Sequence, residues 1–273
     1  MIIQTFGSPF SHDVCSCAGR EPQKHKYVNG KHPNSEVELY LDFDVLGGFQ
    51  SDAKHKFLWL CESRQISDRQ HASIHAYLSE YVSCYTKIFT CDSDIVKLHE
   101  NIEYCPPASN ASWVPATNQD VYTKSKLVSM ISSGKAMCDG HRRRNALASE
   151  YSSHPVGVDM YGRDTNPFDT KEGVLKDYMF SITVENGVYS NYYTEKIMDC
   201  FATGTVPVYL GSPDIGDMFN PDGIITIDEN FDLADLNKDL YESMSDAIEE
   251  NFELQKTHRI SDDILFEKIL ECL

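Results

Sequence analysis

Long apolar runs are missing from this sequence. Its 273 residues contain no run of about 18 apolar residues, the length that a membrane-spanning helix requires. The first residues, MIIQTFGSPFSH, also lack the basic segment and long apolar stretch of a secretory signal. We therefore expect no integral membrane segment, and we expect a soluble protein of the cytoplasm.

Positive charge is also scarce. The chain has 24 Lys and Arg against 42 Asp and Glu, which gives a formal net charge of −18. Such an acidic surface repels the backbone of nucleic acids, so we expect no nucleic-acid partner. The same field repels any ligand that carries phosphate. A phosphate ligand would therefore need Lys or Arg side chains placed close to it.

Cysteine spacing gives no sign of a disulfide framework. The nine cysteines are odd in number and scattered along the chain. Cys15 and Cys17 form a C-x-C pair with no second pair at the spacing of a zinc site. We expect reduced and mostly buried thiols.

Strand and helix patterns alternate along the chain. A length of 273 residues suits two domains of about 100–150 residues each. Residues 11–35 are read as loop. The predicted strands cover 37–41, 56–61, 87–90, 126–132, 156–161, 178–185, 206–210 and 224–227. The predicted helices cover 68–85, 92–100 and 139–151, one that begins near 193 or 194, and two at about 232–251 and 261–272. This alternation predicts parallel sheets, with a domain boundary in the Pro-rich and polar stretch 105–120.

The most informative segment follows the predicted strand 178–185. Thr194 suits a helix cap, and the free amides of a first helical turn attract anions. Lys196 adds a full positive charge where it works against the helix dipole, and Glu195 could accept hydrogen bonds from sugar hydroxyls. Tyr192 and Tyr193 offer flat faces and hydroxyls. The segment predicts a site for a sugar bonded to a phosphate; the alternative is a capped surface helix with solvated charges.

The order of these motifs resembles a known family. The chain reads FSITVENGVYSNYYTEKIMDCFATGTVPVYLGSPDIGDMFNP, which is similar to the donor-binding motif of the α1,3/1,4-fucosyltransferases, an inverting family that uses GDP-fucose. The similarity runs from about residue 126 to 227 and is weak before it. It implies an α/β fold of GT-B type, with two Rossmann-type domains facing across a cleft.

The resemblance also implies a division of labour between domains. Residues 1–115 would form the acceptor-side domain. Residues 116–273 would bind the nucleotide sugar, and whether the last helix packs back on the first domain stays open. The implied donor-binding positions are Glu185, Asn186, Tyr192, Tyr193, Thr194, Glu195 and Lys196. In the basic run 142–144, Arg144 best matches the arginine that clamps the donor phosphates, because a guanidinium binds two oxygens at once. The alternative for this run is a solvated helix turn.

Inverting transfer needs a base and a stabilised leaving group. Glu62, which follows the predicted strand FLWLC, matches the position of the base; the alternative is an ordinary charged residue at a strand end. Arg144 and Lys196 would stabilise the departing nucleoside diphosphate. The implied catalytic residues are therefore Glu62, Arg144 and Lys196.

No metal site is predicted. Asp42-Phe43-Asp44 is a D-x-D of the type that other glycosyltransferases use for a metal, but it is short and common, and it lies in the wrong half of the chain for this architecture. His71 and His75 stand four residues apart, at ligand spacing, but have no neighbouring acid ligand. We expect a GDP-sugar co-substrate and no required cofactor; stimulation by Mn²⁺ stays open.

The sequence departs from the family in the donor motif. Gly187 and Tyr193 stand where the family has Ser and Val, which leaves the donor sugar open. The expected reaction is transfer of L-fucose to a glycan hydroxyl. The alternatives are a GT-B enzyme that uses GDP-mannose or a UDP-sugar, and a non-catalytic glycan-binding protein.

Overall fold

A computed structural model describes residues 1–7, 15–22 and 26–273. Its strands are β1 Ile2–Gly7, β2 Lys26–Asn29, β3 Val37–Leu41, β4 His55–Leu60, β5 Lys87–Thr90, β6 Ile102–Tyr104, β7 Lys126–Ile131, β8 Asp159–Tyr161, β9 Tyr178–Val184, β10 Val206–Leu210 and β11 Ile225–Thr226. Its helices are α1 Asp68–Ala76, α2 Leu78–Cys84, α3 Ser93–Val96, α4 Asp139–Tyr151, α5 Glu195–Phe201, α6 Lys238–Ser243, α7 Ser245–Thr257 and α8 Ser261–Glu271. Every strand pairing is parallel, which confirms the prediction of parallel sheets.

The first compact unit contains residues 1–110, 190–192 and 259–273. Its sheet has the strand order β2-β1-β3-β4-β5-β6. Strand β2 lies in the segment 11–35 that was predicted as loop, so that prediction is wrong there; residues 11–14 and 23–25 of the segment lie outside the described residues. The apolar residues Leu265, Phe266 and Ile269 form one stripe of α8 and pack into the same core cluster as Leu39 and Trp59.

The predicted helix over 68–85 is two helices in this unit. The backbone leaves helical geometry at Tyr77, where φ is −128° and ψ is 40°, and the Tyr77 ring lies in solvent. Ile74 and Tyr81, on either side of the break, are both buried against the sheet core. Because the apolar spacing continues across the break, periodicity alone could not reveal it.

The second compact unit contains residues 111–189 and 193–258, and its sheet has the order β11-β10-β9-β7-β8. Strand β9 is buried along its whole length between β7 and β10. The acidic helix predicted over about 232–251 begins later and is divided into α6 and α7. Helix α6 begins only after Asn237, whose side chain accepts a hydrogen bond from the amide of Leu240 at 2.9 Å and so caps the helix.

The order of the second sheet contains a switch point. The strand β8 pairs with one side of β7, and the next strand in the chain, β9, pairs with the other side. The loops that leave the carboxyl ends of β7 and β9 therefore diverge to α4 and α5. In open α/β sheets, ligands bind in the crevice at this position.

Two expectations from the sequence, on the cysteines and on membrane-spanning helices, can be compared with the described residues. The nine cysteines all lie in the described part of the chain, where they are free and mostly buried. None of the helices in residues 1–7, 15–22 and 26–273 combines the length and the hydropathy that crossing a bilayer requires.

Candidate active site

Glu185 anchors the loop that leaves β9. Its carboxylate is fully buried. It accepts hydrogen bonds from the amide of Thr194 at 2.9 Å and from the Thr194 hydroxyl at 2.8 Å. Thr194 stands at the N-cap of α5 in extended conformation, but its side chain accepts no capping hydrogen bond from a backbone amide of that helix. Its hydroxyl instead holds Glu185, so the start of α5 is fixed to the end of β9.

Lys196 lies in the first turn of α5, among oxygen atoms. Its Nζ is 3.1 Å from Oε2 of Glu185, 2.8 Å from Oγ1 of Thr194 and 3.6 Å from Oε1 of Glu195. Burial acts to lower the pKa of Lys196, but the carboxylates of Glu185 and Glu195 outweigh it and raise that pKa above its ordinary value. The ammonium is therefore held charged and in place, with 20% of the side chain still exposed.

Glu195 is buried beside this ammonium. Burial acts to raise its pKa, and the charges of Lys196 and Lys171 lower it below the ordinary value. Glu195 therefore stays ionised at neutral pH and offers acceptor oxygens only.

Arg144 is the buried member of the basic run on α4. Arg142 and Arg143 are exposed, and Arg142 forms an ion pair with Asp139 in the same helix. Arg144 is only 7% exposed, and its Nη2 donates a hydrogen bond to Oγ of Ser133 at 3.3 Å. The positive charge of Arg144 acts on Lys196. The alternative interpretation of this basic run, a solvated helix turn, therefore holds for Arg142 and Arg143, whereas Arg144 is buried.

Gly140, which sequence reasoning missed, allows α4 to approach the end of β9. A Cβ at this position would lie 2.4 Å from the carbonyl oxygen of Asn186 and 2.5 Å from that of Glu185. The Cys138 thiol donates to the same Asn186 carbonyl at 3.6 Å. The available signal was a glycine inside the first turn of a helix, where its propensity is poor.

His141, also missed, is buried in the first turn of α4 with 4% exposure. Its Nδ1 accepts a hydrogen bond from the amide of Met137 at 3.2 Å. Burial lowers the pKa of His141 to about 4, assisted by neighbouring cations. Those cations are Arg144, Lys135, Lys196 and Arg142. The signal that could have found it was a histidine three residues before Arg144, on the same helix face.

The two tyrosines of the motif are core residues, each 1% exposed. The Tyr193 hydroxyl lies 2.8 Å from Nε2 of His258, and its ring packs edge-on against Phe219. The substitution of the family's Val by Tyr193 is thus absorbed by packing. Nearby, Oδ1 of Asn186 is buried without a hydrogen-bond partner among the described residues.

Glu62 follows β4 in the first unit. Its amide donates to the carboxylate of Asp42 at 3.1 Å, and the amide and thiol of Cys61 donate to the same carboxylate at 3.2 and 2.8 Å. Burial raises the pKa of Asp42, against the lowering effect of these hydrogen bonds. The first Asp of the D-x-D therefore points inward and fixes the backbone at Glu62.

The histidine pair of α1 is divided between core and solvent. His71 is buried, with Nδ1 at 3.3 Å from Oδ2 of Asp92, whereas His75 is exposed. Across the described ranges 1–7, 15–22 and 26–273, no group of three or more His, Cys, Asp or Glu side chains is arranged to hold a metal ion.

Comparison with known proteins finds a fucosyltransferase family model and fucosyltransferase relatives. The family model described as glycosyltransferase family 10 (fucosyltransferase), C-terminal, matches residues 121–266. Alpha-(1,3)-fucosyltransferase FucT of Helicobacter pylori is 38% identical over 96 residues, which are 33% of this chain and 20% of that protein. GDP-fucose protein O-fucosyltransferase 3 of Danio rerio is 33% identical over 99 residues, 31% of this chain and 21% of that protein. The chain thus matches about a fifth of the length of these relatives.

A solved structure extends the likeness over most of the chain. The crystal structure of an alpha1,3-fucosyltransferase superposes with a TM-score of 0.52 at 15% identity, covering 92% of this chain and 80% of that one. At this identity the likeness concerns the fold alone. The fold is α/β of GT-B type, with two Rossmann-type units.

Proposed function

The chain belongs to glycosyltransferase family 10, the fucosyltransferase family, and from this premise we propose that it transfers L-fucose from GDP-fucose to an acceptor hydroxyl by a single inverting displacement. One observation carries the proposal: Arg144, 7% exposed, and Lys196, whose side chain is 20% exposed, stand on α4 and α5, the two helices that follow β7 and β9 at the switch point of the second sheet. Both lie inside the matched residues 121–266. The second unit would therefore be the donor domain, and the first unit the acceptor side.

The leaving group sets the main chemical demand on the donor site. As the bond to the sugar breaks, negative charge grows on the diphosphate, and fixed cations stabilise it. Arg144 offers two parallel N–H donors and Lys196 a compact charge. This arrangement supplies the needed charge from the chain itself, and we propose that no cofactor besides the GDP-sugar co-substrate is required.

The remaining motif residues would act around these cations. Glu185 is saturated by Thr194 and Lys196, so we assign it and Thr194 to positioning Lys196. Two oxygen acceptors are suited to the hydroxyls of the donor sugar: the ionised carboxylate of Glu195, and Oδ1 of Asn186, which has no hydrogen-bond partner in the described part of the chain. The buried rings of Tyr192 and Tyr193 would shape the wall behind them.

Glu62 is the proposed general base. It would take the proton from the acceptor hydroxyl while that oxygen attacks the anomeric carbon and the GDP leaves from the opposite face. The hydrogen bond from its amide to Asp42 fixes the backbone from which the carboxylate projects. A base on a fixed backbone keeps its orientation between turnovers.

The packing of the motif supports fucose as the proposed donor sugar. Because the Tyr193 hydroxyl is bound to His258 and its ring packs on Phe219, the departure from the family's Val is accommodated in the core. This favours fucose over the sugars of GDP-mannose or a UDP-sugar. The proposed acceptor is a glycan hydroxyl; a protein hydroxyl is the second candidate, because one group of relatives bears the name protein O-fucosyltransferase.

The test is a nucleotide-release assay with purified protein. GDP-fucose, GDP-mannose and UDP-sugars are supplied with free oligosaccharides or with folded protein domains as acceptors, and ¹H NMR of the product reads the anomeric configuration. We expect GDP release from GDP-fucose with an oligosaccharide, and a product of inverted configuration. Release from a UDP-sugar, retention of configuration, or glycan binding without any turnover would each overturn the proposal.

A further inference from the structure

The first turn of α4 carries a second buried polar side chain beside Arg144. His141 precedes Arg144 by three residues, so both project from one face of the helix. Both are at least nine-tenths buried, with exposures of 4% and 7%. The turn packs against the end of β9 through Gly140. His141 therefore lies at the same sheet edge as the proposed donor site.

The hydrogen bond at Nδ1 decides where the imidazole carries its proton. The amide of Met137 can only donate, so Nδ1 of His141 accepts and has no proton. Surrounding cations and burial keep the ring neutral, with its pKa lowered to about 4. A neutral ring with a bare Nδ1 is protonated at Nε2. The described residues give this Nε2–H group no acceptor.

The charges around His141 favour an anion as that acceptor. Lys135, Arg142, Arg144 and Lys196 all act on the ring with positive charge. The N-terminus of α4 adds its partial positive charge. The chain as a whole has a net charge of −18, so this local concentration of cations differs from the rest of the surface. An anionic ligand would complement both the cations and the Nε2–H donor.

We propose that His141 is a further ligand of the donor diphosphate: its Nε2–H donates a hydrogen bond to a phosphate oxygen that Arg144 and Lys196 also hold. This inference rests on the proposed function. A neutral donor adds a directed contact without adding another charge to repel the neighbouring cations.

The first experiment is calorimetric titration of the full chain with GDP and with guanosine. His141→Asn keeps an oxygen that can accept from the Met137 amide but loses the donor at the Nε2 position, whereas the longer His141→Gln restores an N–H group there. We expect His141→Asn to weaken GDP binding by about tenfold to a hundredfold with guanosine binding unchanged, and His141→Gln to recover most of the loss. A smaller fraction of folded protein changes both apparent dissociation constants equally, so the ratio of the guanosine constant to the GDP constant is unaffected by it.

The matched control is His154→Asn. His154 follows α4 and also accepts a backbone N–H at Nδ1, from Val156 at 3.3 Å, but it lies outside the proposed site. We expect its GDP affinity to equal that of the wild-type protein.

The second experiment reads the effect of GDP on the wild-type protein itself. Two-bond ¹H–¹⁵N spectra of the wild-type histidine rings follow the Nε2 signal of His141, assigned with His141→Gln. We expect a shift with GDP and none with guanosine. An unmoved signal, or a GDP affinity unchanged in His141→Asn, overturns the inference while the proposed function stands. A wild-type protein that binds no GDP overturns the proposed function and the inference with it.

Discussion

Nζ of Lys196, in the first turn of α5, lies 3.1 Å from Oε2 of Glu185, which is fully buried at the end of β9. The pair joins a helix to the strand beside it, and it holds the lysine without exposing the carboxylate. Removing one member of a buried pair leaves the other charge without compensation, which costs more than the pair itself contributes. The contact therefore has consequences for both stability and function.

The first prediction concerns Glu185→Gln. This change leaves Lys196 with only the more distant carboxylate of Glu195 and weakens the hold on Thr194, so we expect the free energy of unfolding to fall by roughly 2 kcal/mol, measured by urea denaturation. The control is Glu253→Gln, which removes the partner of Lys256 in an exposed pair and should change the stability by less than about 0.5 kcal/mol. Equal effects from the two variants would contradict a positioning role for Glu185.

The second prediction compares adjacent arginines on α4. Arg144→Gln removes the buried guanidinium, and we expect kcat/KM for GDP-fucose to fall by about a hundredfold or more. Arg143→Gln removes an exposed arginine and should leave kcat/KM within about twofold, because a solvated charge is screened. Steady-state kinetics on both variants checks this. If the two variants lose activity alike, the effect comes from overall charge and Arg144 has no special role.

The third prediction separates the base from the donor site. Glu62→Gln cannot take a proton, so we expect kcat to fall by about 10²–10⁴-fold while the dissociation constant for GDP stays within about twofold. The control is Glu80→Gln, an exposed position of the same unit, which should behave as the wild-type protein. A normal kcat in Glu62→Gln would transfer the role of base to another residue.

The fourth prediction is a pH dependence from Asp262, in the first turn of α8. Its carboxylate accepts hydrogen bonds from the amide and hydroxyl of Ser16 at 2.8 and 2.5 Å. Burial nevertheless raises the pKa of Asp262 to about 6 from an ordinary value of 3.8. The folded state therefore binds the proton more tightly than the unfolded state. Its stabilising contribution is complete below pH 4 and is lost as the pH rises to about 6.

We expect this loss to be roughly 3 kcal/mol, from about two pKa units at 1.36 kcal/mol each. Urea unfolding between pH 4 and 7 measures it as the difference between the wild-type protein and Asp262→Asn, since the variant cannot titrate there. A difference that stays flat across this interval would show that Asp262 titrates alike in both states.

Local patterns predicted much of the architecture. The strands β3, β5 and β10 and the helix α4 have the predicted bounds. The residue types that begin and end each of these elements can be recognised in the sequence directly beside it. The prediction failed where the apolar spacing was uninformative, since α1 and α2 were predicted as one helix across Tyr77. It also failed where a local signal was overlooked, since Asn237 directly precedes α6 and caps it.

The candidate site divides in the same way. The sequence by itself predicted that Arg144, Glu185 and Lys196 belong to one site, from the resemblance of the motif and its spacing to the family pattern. Only the tertiary structure decided that Glu185 holds Lys196, that Tyr193 is a core residue, and that His141 joins the cations. Charge state, burial and hydrogen-bond saturation depend on groups that folding brings together from distant parts of the chain, and no local pattern contains that information.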